Sequence, residues 1–401
     1  MIHRLPRGPH DVVRDHVGDP NQLILDQDDR VLTLHDGVTP GGVPLTRGVS
    51  LQGPTEITLG NSAEYTIVQY SDFSEYSVSA TGGTATLDGN IVTFTPATLS
   101  DGLLVTKDGV VQRFAPEIKI AGLDGVYSEL SGGATGRNTH SAVAIGGLMY
   151  VFGGFDGNRL DDLWVYNPQT DTWQQLTSGA TVRYSHSAVA IEGKMYVFGG
   201  NGGDSGYLND LWCYDPQTDT WQQLSAGATP RRIHSTTVID GKMYVFGGRD
   251  SGNNNLNDLW CYDPQTDTWQ QLTSGATPRN GHAAVAIEGK MYMFGGYHGG
   301  RLNDLWVYNP QTDAWQQLSS GATPRNGHTA VAIDGRMYVF GGYSDGRLND
   351  LWEYVPQTDA WQQLTSGATT RNAHSAVAIG GLMYVFGGYA GNRVNDLWVI
   401  S

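Results

Sequence analysis

Six histidines in this sequence, each preceded three residues earlier by an arginine, are candidate metal ligands or acid–base groups. An imidazole can ligate a metal or act as a general acid or base near neutral pH. A guanidinium can hold a carboxylate through two parallel hydrogen bonds. The pairs are Arg137 and His140, Arg183 and His186, Arg231 and His234, Arg279 and His282, Arg325 and His328, and Arg371 and His374.

The regular recurrence of these pairs argues against catalysis. Successive histidines are separated by 46, 48, 48, 46 and 46 residues. A catalytic site needs an acid, a base or a nucleophile in unlike surroundings, whereas six copies of one arrangement are typical of architecture. We therefore predict that each histidine caps the start of an innermost strand. Two interpretations of the arginines stay open, namely structural support and contact with an acidic ligand.

Six aspartates that stand just before Leu-Trp recur with the same regularity. Short carboxylates commonly accept hydrogen bonds from the amides of turns, and this is the role that we predict for them. The residues are Asp162, Asp210, Asp258, Asp304, Asp350 and Asp396.

The elements that position these residues are short strands. In the copy from Arg279 to Leu318, four runs carry apolar or aromatic residues at alternate positions, which is the period of a half-buried strand. The sequences Glu-Gly and Asn-Pro-Gln-Thr-Asp between the runs favour tight turns. Each copy is thus predicted to be a four-stranded antiparallel sheet, and the period predicts six such sheets packed radially.

The repeated wording resembles the Kelch repeat. The residues that carry the resemblance are the Gly-Gly pairs, from Gly153-Gly154 to Gly387-Gly388, and a Tyr followed by a Trp in the next run, as in Tyr166 and Trp173. The resemblance covers about residues 124–401 and implies a six-bladed β-propeller.

The last copy lacks its outer strand, because the second tryptophan of the repeat appears only five times and the sequence ends at Ser401. Thirteen residues separate Trp173 from His186, and the same interval before His140 reaches Tyr127. We therefore predict that residues 124–131 complete the blade formed by residues 371–400. Such a closure would remove an open sheet edge.

Two further regions are predicted before the propeller. Residues 1–50 contain one hairpin, and Arg30 to Pro40 resemble a module near the N-termini of phage tail-fibre and hyaluronidase-like virion proteins. That resemblance implies a segment for virion attachment and oligomerisation. Residues 53–120 alternate like the strands of a β-sandwich, and they resemble the immunoglobulin-like stalk modules of bacterial and phage surface proteins. The predicted class is all-β throughout.

Charge and composition exclude several partners. The formal net charge is −16, and neither half contains a basic patch, which argues against a nucleic acid or an anionic membrane. No segment is apolar enough to span a bilayer, and the first residues do not resemble a signal peptide. We expect synthesis in the host cytoplasm. The two cysteines, Cys213 and Cys261, occupy one slot in neighbouring copies, where we predict small buried residues rather than a disulfide.

The copies differ most in the loop after Gly-Gly and in the segment before each histidine, which are predicted to lie on one face. Aromatic rings beside Asn, Asp and Arg suit sugar faces or protein loops. The candidate ligand-binding residues are Phe155, Tyr184, Tyr207, Arg232, Arg249, Tyr297, His298, Tyr343 and Tyr389. We predict no catalytic residue, cofactor or metal, because no nucleophile elbow, zinc-protease motif or phosphate-binding loop occurs in the sequence.

These features predict a phage virion fibre or spike subunit, located in the virion, that binds a glycan or protein on the host surface. Its N-terminal segment would contact other virion proteins and form a homo-oligomer, with a trimer favoured. Two alternatives stay open. One is an intracellular Kelch module that binds an acidic peptide, and the other is a carbohydrate-active enzyme.

Overall fold

A computed structural model describes residue 123, residues 125–364 and residues 366–401, together with the backbone of twelve strands in the preceding region. The chain divides into two compact units, Met1–Ala121 and Gly122–Ser401. Within the described ranges, no helix is long and apolar enough to cross a membrane.

The described strands of the first unit form four small sheets, with the strand orders β1-β2-β3, β4-β6-β9-β8, β11-β10-β7 and β12-β5. Its strands are β1 (Leu23–Asp26), β2 (Val31–Leu34), β3 (Val43–Pro44), β4 (Ser50–Gln52), β5 (Glu56–Thr58), β6 (Ala63–Val68), β7 (Tyr76–Ala80), β8 (Thr84–Asp88), β9 (Ile91–Thr95), β10 (Leu103–Lys107), β11 (Val110–Phe114) and β12 (Glu117–Lys119). The packing predicted for residues 53–120 and the attachment role predicted for residues 1–50 fall outside the described residues. Both remain predictions, as do the domain boundaries.

The second unit is a six-bladed β-propeller, which confirms the all-β propeller that the repeat predicted. Blade 1 contains β14 (Ser141–Ile145), β15 (Leu148–Phe155), β16 (Arg159–Asn167) and β17 (Thr172–Leu176); blade 2 contains β18 (Ser187–Ile191), β19 (Lys194–Asn201), β20 (Tyr207–Asp215) and β21 (Thr220–Leu224), with a 3-10 helix at Gly203–Ser205; blade 3 contains β22 (Ser235–Ile239), β23 (Lys242–Phe246), β24 (Leu259–Asp263) and β25 (Thr268–Leu272). Blade 4 contains β26 (Ala283–Ile287), β27 (Lys290–Tyr297), β28 (Arg301–Asn309) and β29 (Ala314–Leu318); blade 5 contains β30 (Thr329–Ile333), β31 (Arg336–Tyr343), β32 (Arg347–Val355) and β33 (Ala360–Leu364); blade 6 contains β34 (Ser375–Ile379), β35 (Leu382–Phe386) and β36 (Leu397–Ile400), together with β13 (Tyr127–Leu130).

The outer strand of blade 6 comes from the other end of the propeller sequence. Strand β13 pairs antiparallel with β36, so that Tyr127 lies opposite Ile400 and Leu130 lies opposite Leu397. The amide of Ser401 also donates to the carbonyl of Val126 at 3.0 Å. Because β36 is paired on both sides, blade 6 has four strands like the others.

The core lies between neighbouring blades and is built from aromatic and aliphatic side chains. Phe152 of blade 1 packs against Trp221 of blade 2, with ring centroids 4.9 Å apart, and Met195 and Val197 are fully buried beside them. The indole of Trp221 also lies over Gly179, where a Cβ atom would come within 2.3 Å of the ring. Burial of each large apolar side chain contributes about 1.5–3 kcal/mol, and the same contact recurs around the ring.

Candidate functional site

Each repeated arginine is buried and forms a bidentate salt bridge with a repeated aspartate. Arg137 Nη1 donates to Asp162 Oδ1 at 2.6 Å, and its Nη2 donates to Asp162 Oδ2 at 2.8 Å. The side chain is 0% exposed, and Nη1 also donates to the carbonyl of Gly153. The six pairs are Arg137 with Asp162, Arg183 with Asp210, Arg231 with Asp258, Arg279 with Asp304, Arg325 with Asp350, and Arg371 with Asp396. These arginines therefore support the fold and are not exposed to a ligand.

The prediction that the aspartates bind turn amides was wrong. Asp162 accepts hydrogen bonds from the guanidinium of Arg137 and from the indole of Trp164, the latter at 2.7 Å. Burial raises the pKa of Asp162, but these two donors outweigh it and hold the pKa below its ordinary value. The carboxylate thus stays charged and compensates the buried cation.

The histidines connect the innermost strands of neighbouring blades. His186 Nε2 lies 2.8 Å from the hydroxyl of Ser141 in the preceding blade, and His140 Nε2 lies 2.7 Å from Ser375. Burial, followed by the charge of Arg137, lowers the pKa of His140 to about 3, so the ring is neutral at physiological pH. His328 is the exception, because Ala283 replaces the serine and His328 Nε2 has no partner within the described residues. The structural interpretation of the histidines is supported, and five of the six form a hydrogen bond with a neighbouring blade.

A closed belt of six backbone hydrogen bonds surrounds the propeller axis. The residue before each histidine has a left-handed conformation, with φ between 53° at Thr139 and 64° at Gly281. Its amide donates to the carbonyl of its counterpart in the preceding blade, as Ser185 does to Thr139 at 2.8 Å. The six members of this belt are Thr139, Ser185, Ile233, Gly281, Gly327 and Ala373.

A small cavity of about 130 Å³ is lined by the belt and the six histidines. A second cavity of about 240 Å³ is lined by Val, Ala and Thr side chains of the innermost strands. In the part of the chain that the structure describes, no group of His, Cys, Asp or Glu side chains could hold a metal ion. Cys213 and Cys261 are buried free thiols, as predicted from their slot.

Seven of the nine candidate residues lie where the segment before an innermost strand meets the residue after Gly-Gly, and Tyr207 and His298 lie beside these junctions. In blade 4, the amide of Tyr297 donates to the carbonyl of Asn280 at 2.8 Å. We call the six junctions of this kind and the loops beside them the rim. Phe155, Tyr297 and Tyr343 end second strands, Tyr207 begins β20, His298 lies in an exposed loop, and Tyr184, Arg232, Arg249 and Tyr389 form isolated bridges.

Guanidinium groups cover four of the candidate rings. The Cζ atoms of the arginines lie 4.5–4.9 Å from the ring centroids, within the range of a cation–π contact. The pairs are Arg232 over Tyr207, Arg301 over Tyr343, Arg347 over Tyr389, and Arg393 over Phe155. Tyr184 packs against Phe155 at 5.6 Å. Most of these aromatic faces are therefore occupied already.

Tyr297 differs from the other candidate rings. It is 41% exposed, and the side chain in the covering position is Asn255, which donates to the backbone carbonyl of Tyr297 at 3.1 Å. Arg249 Nε donates to the carbonyl of Asn253 within its own loop. Tyr297 thus offers the most open aromatic surface of the described rim.

Three rim arginines were not predicted as site residues, namely Arg301, Arg347 and Arg393. Each begins or precedes the third strand of its blade, and Arg159 occupies the same position in blade 1. An arginine occupies this position in four of six copies. It was therefore selected neither among the residues that recur in every copy nor among those that differ between the loops. Its recurrence at the end of the most variable loop could have revealed it.

A family model described as the KLHDC2/KLHL20/DRC7 Kelch-repeats domain matches residues 139–321 and 273–401. The two matches overlap and together cover residues 139–401, which is well over half of the chain. A comparison with curated proteins found no match.

Proposed function

Because this chain belongs to the Kelch-repeat family, we propose that it is a binding protein whose rim holds a ligand on a host surface. A Kelch propeller is typically a scaffold for interactions. The phage virion fibre or spike is the specific setting that we propose, with the propeller as the receptor-binding part. Non-catalytic binding is part of the same proposal.

The observation that carries the proposal is the contrast between the interior and the rim. The repeated arginines, aspartates and tryptophans of the interior satisfy one another, as Arg137, Asp162 and Trp164 do. The candidate side chains of the rim, which differ between blades, are exposed or half-buried, as Tyr297 and His298 are. A surface that varies on an invariant frame is the usual arrangement of a recognition site.

The virion setting is supported by the N-terminal sequence. Residues 30–40 resemble a virion attachment module, and the first 121 residues form a separate unit. If several copies share one fibre, weak contacts at each rim would combine into strong attachment through their effective concentration. Oligomerisation would then depend on residues 1–50, and a monomeric intact chain at micromolar concentration would contradict this setting.

Cell binding tests the proposed site. The full chain is labelled, and its binding to a panel of bacterial strains is measured by flow cytometry for the wild type and for a variant with Tyr297, Tyr343 and Arg249 changed to Ala. We expect the wild type to bind at least one strain and the variant to lose that binding. A matched control changes Gln169, Gln217 and Gln265 to Ala in the turns of the opposite face. Undiminished binding of the rim variant would overturn the site.

The second candidate is an intracellular interaction module, which the Kelch fold favours equally. It predicts that the immobilised chain recovers one stable partner from a host lysate and binds no intact cells. A carbohydrate-active enzyme would instead shorten surface polysaccharides or exchange their anomers, which product analysis would detect.

A further inference from the structure

Most of the Lys and Arg side chains of this acidic propeller that are not held by a close carboxylate lie on the rim. Residues 123–401 contain sixteen Lys and Arg residues and twenty-five Asp and Glu residues. Six of the arginines form the buried salt bridges with the repeated aspartates. Lys194 and Lys242 pair with Asp215 and Asp263, and Arg336 pairs with Glu353. Apart from Lys290, the remaining cations are Arg159, Arg232, Arg249, Arg301, Arg347 and Arg393. All six are rim residues, so one face concentrates the available positive charge.

The stacked arginines keep hydrogen-bonding capacity for a ligand. The side chains of Arg232, Arg301, Arg347 and Arg393 are half-buried, and their Nε atoms are buried with no acceptor among the described residues. A ligand would therefore meet the terminal Nη groups of these side chains. Arg301 has one nearby carboxylate, that of Asp345 at 3.7 Å, and Asp345 is fully exposed. An exposed pair at that distance contributes little and is readily replaced. In the described ranges, Arg347 and Arg393 have no carboxylate partner within 4.0 Å.

The rings beneath these arginines hold the guanidinium groups in place. A guanidinium that is already stacked loses less freedom when it binds an anion than a free side chain would. Arg301, Arg347 and Arg393 follow one another at intervals of 46 residues in blades 4, 5 and 6. They therefore present equivalent groups at regular positions around one arc of the rim.

One open aromatic ring lies at the end of this arc. Tyr297 is paired across the strands with Arg301, and it is 41% exposed. The apolar face of a sugar ring can pack on a tyrosine, while a carboxylate on the same sugar could reach a guanidinium. An acidic peptide has no need of the uncovered ring, whereas an acidic polysaccharide uses both features.

We propose that the arc formed by Tyr297, Arg301, Arg347 and Arg393 binds a carboxylated polysaccharide. A chain of uronic acids has carboxylates at regular intervals, which suits cations repeated in successive blades. Guanidinium groups hold carboxylates through charge-assisted hydrogen bonds. This inference rests on the proposed function and specifies the chemistry of its ligand.

The test uses polygalacturonate as the probe and the intact chain as the protein, with binding measured by biolayer interferometry. We expect R301Q/R347Q/R393Q to weaken binding at least tenfold, and Y297A to weaken it at least threefold. The control K194Q/K242Q/K290Q removes the same charge from the opposite face and should change binding less than twofold. Methyl-esterified polygalacturonate, which has lost its carboxylates, should bind at least tenfold more weakly.

Several outcomes would overturn the inference. They are equal binding by the arginine variant and the control, equal binding of the esterified probe, or tighter binding of polyglutamate that Y297A leaves unchanged. The last result would assign the arc to an acidic peptide. If the arginine variant does not fold, judged by thermal unfolding, the salt dependence of wild-type binding decides, because an electrostatic site weakens between 50 and 300 mM salt. Cell binding that survives the arginine changes would leave the proposed function intact and remove only this inference.

Discussion

Different contacts stabilise the interfaces between neighbouring blades, which we call joints. Five joints are formed by the repeat, and the sixth is the one at which the propeller closes. At the joint between blades 2 and 3, Asp267 accepts hydrogen bonds from the amide and hydroxyl of Ser225 and from the hydroxyl of Tyr262, at 3.1, 2.8 and 2.7 Å. Trp269 donates to the carbonyl of Ser225 at 2.8 Å. We call this set a latch, and its aspartates are Asp171, Asp219, Asp267, Asp313 and Asp359.

The closing joint, between blades 5 and 6, has different residues at the latch positions, with Gly125 where the other blades have the aspartate. Tyr127 stands where other blades have the tryptophan, and Ile400 stands where they have the tyrosine. Leu123, which is 4% exposed, packs into the core of this joint. Its amide donates to the hydroxyl of Tyr338 at 3.2 Å.

A buried carboxylate completes the closing joint. Tyr338 donates to Glu353 Oε1 at 2.8 Å, and Arg336 donates to the same oxygen at 2.8 Å. Glu353 occupies the position of Val or Cys in other blades. The aspartate of a latch belongs to the Pro-Gln-Thr-Asp sequence that precedes an outer strand, and this sequence does not occur before β13. A different set of contacts thus replaces the latch at the joint where the outer strand comes from the other end of the propeller sequence.

The largest expected effect is at the closing joint. Leu123→Ala should lower the free energy of unfolding by about 2–4 kcal/mol, because it leaves a cavity in a packed core. Denaturant unfolding of the intact chain measures the change. Val126→Ala is the matched control, since Val126 is 58% exposed, and it should change stability by less than about 0.5 kcal/mol. A loss from L123A no larger than that of the control would show that Leu123 does not support closure.

A latch should contribute less than Leu123. Asp267→Ala removes the acceptor of three hydrogen bonds at a partly exposed joint, and we expect a loss of about 1–2 kcal/mol. Asp267→Asn retains one oxygen acceptor and a residue that tolerates the left-handed conformation, so it should lose less. The same unfolding experiment compares the two variants, and equal losses would mean that neither the remaining oxygen nor the backbone preference of Asn contributes, so that the charged carboxylate alone stabilises the joint.

One substitution in an innermost strand is expected to increase the stability of the protein. Ala283→Ser would give His328 the hydroxyl partner that His186 has in Ser141. We expect a gain of about 0.5–1.5 kcal/mol, the usual net contribution of one hydrogen bond. Ala284→Ser, which adds a hydroxyl one residue away, is the control. A gain from both variants, or from neither, would contradict the role assigned to the serine.

The smallest expected effect is a change in acid sensitivity. Hydrogen bonds from Tyr262 and Ser225 lower the pKa of Asp267 below its ordinary value of 3.8. Its contribution to stability is therefore complete above pH 3.8 and is lost as the pH falls through the lower pKa of the folded state. Unfolding measured between pH 5 and pH 2.5 should show a shallower pH dependence for D267N than for the wild type. Identical slopes would exclude Asp267 as a contributor.

Recurrence in the sequence predicted the propeller because one alternating pattern appears six times, and a strand paired with β36 lies at Tyr127, the position that the interval of thirteen residues indicated. It could not predict which repeated residues touch. Arg137 and Asp162 are 25 residues apart, and six equivalent copies contain no information on whether the arginine faces a carboxylate, a ligand or solvent. Tertiary contacts decide that question.

The rim shows a second limit of sequence reasoning. Variation between copies drew attention to Tyr297 and Tyr343, but the number of exposed aromatic faces depends on Arg301 and Asn255, which lie in adjacent blades. Stacking across a joint depends on the side chain at one position of the preceding blade. This stacking therefore cannot be predicted from the sequence of a single repeat.

The belt of six backbone hydrogen bonds has a consequence for how this protein can diversify. Every amide donates in the same rotational sense, from Ser185 to Thr139 and onward to Ala373, so each blade is tied to both neighbours without using a side chain. Loops that begin beyond the belt can lengthen freely, and the two 48-residue repeats already do so. Foreign loops grafted after the Gly-Gly pairs should consequently alter what the protein recognises and leave its ring intact.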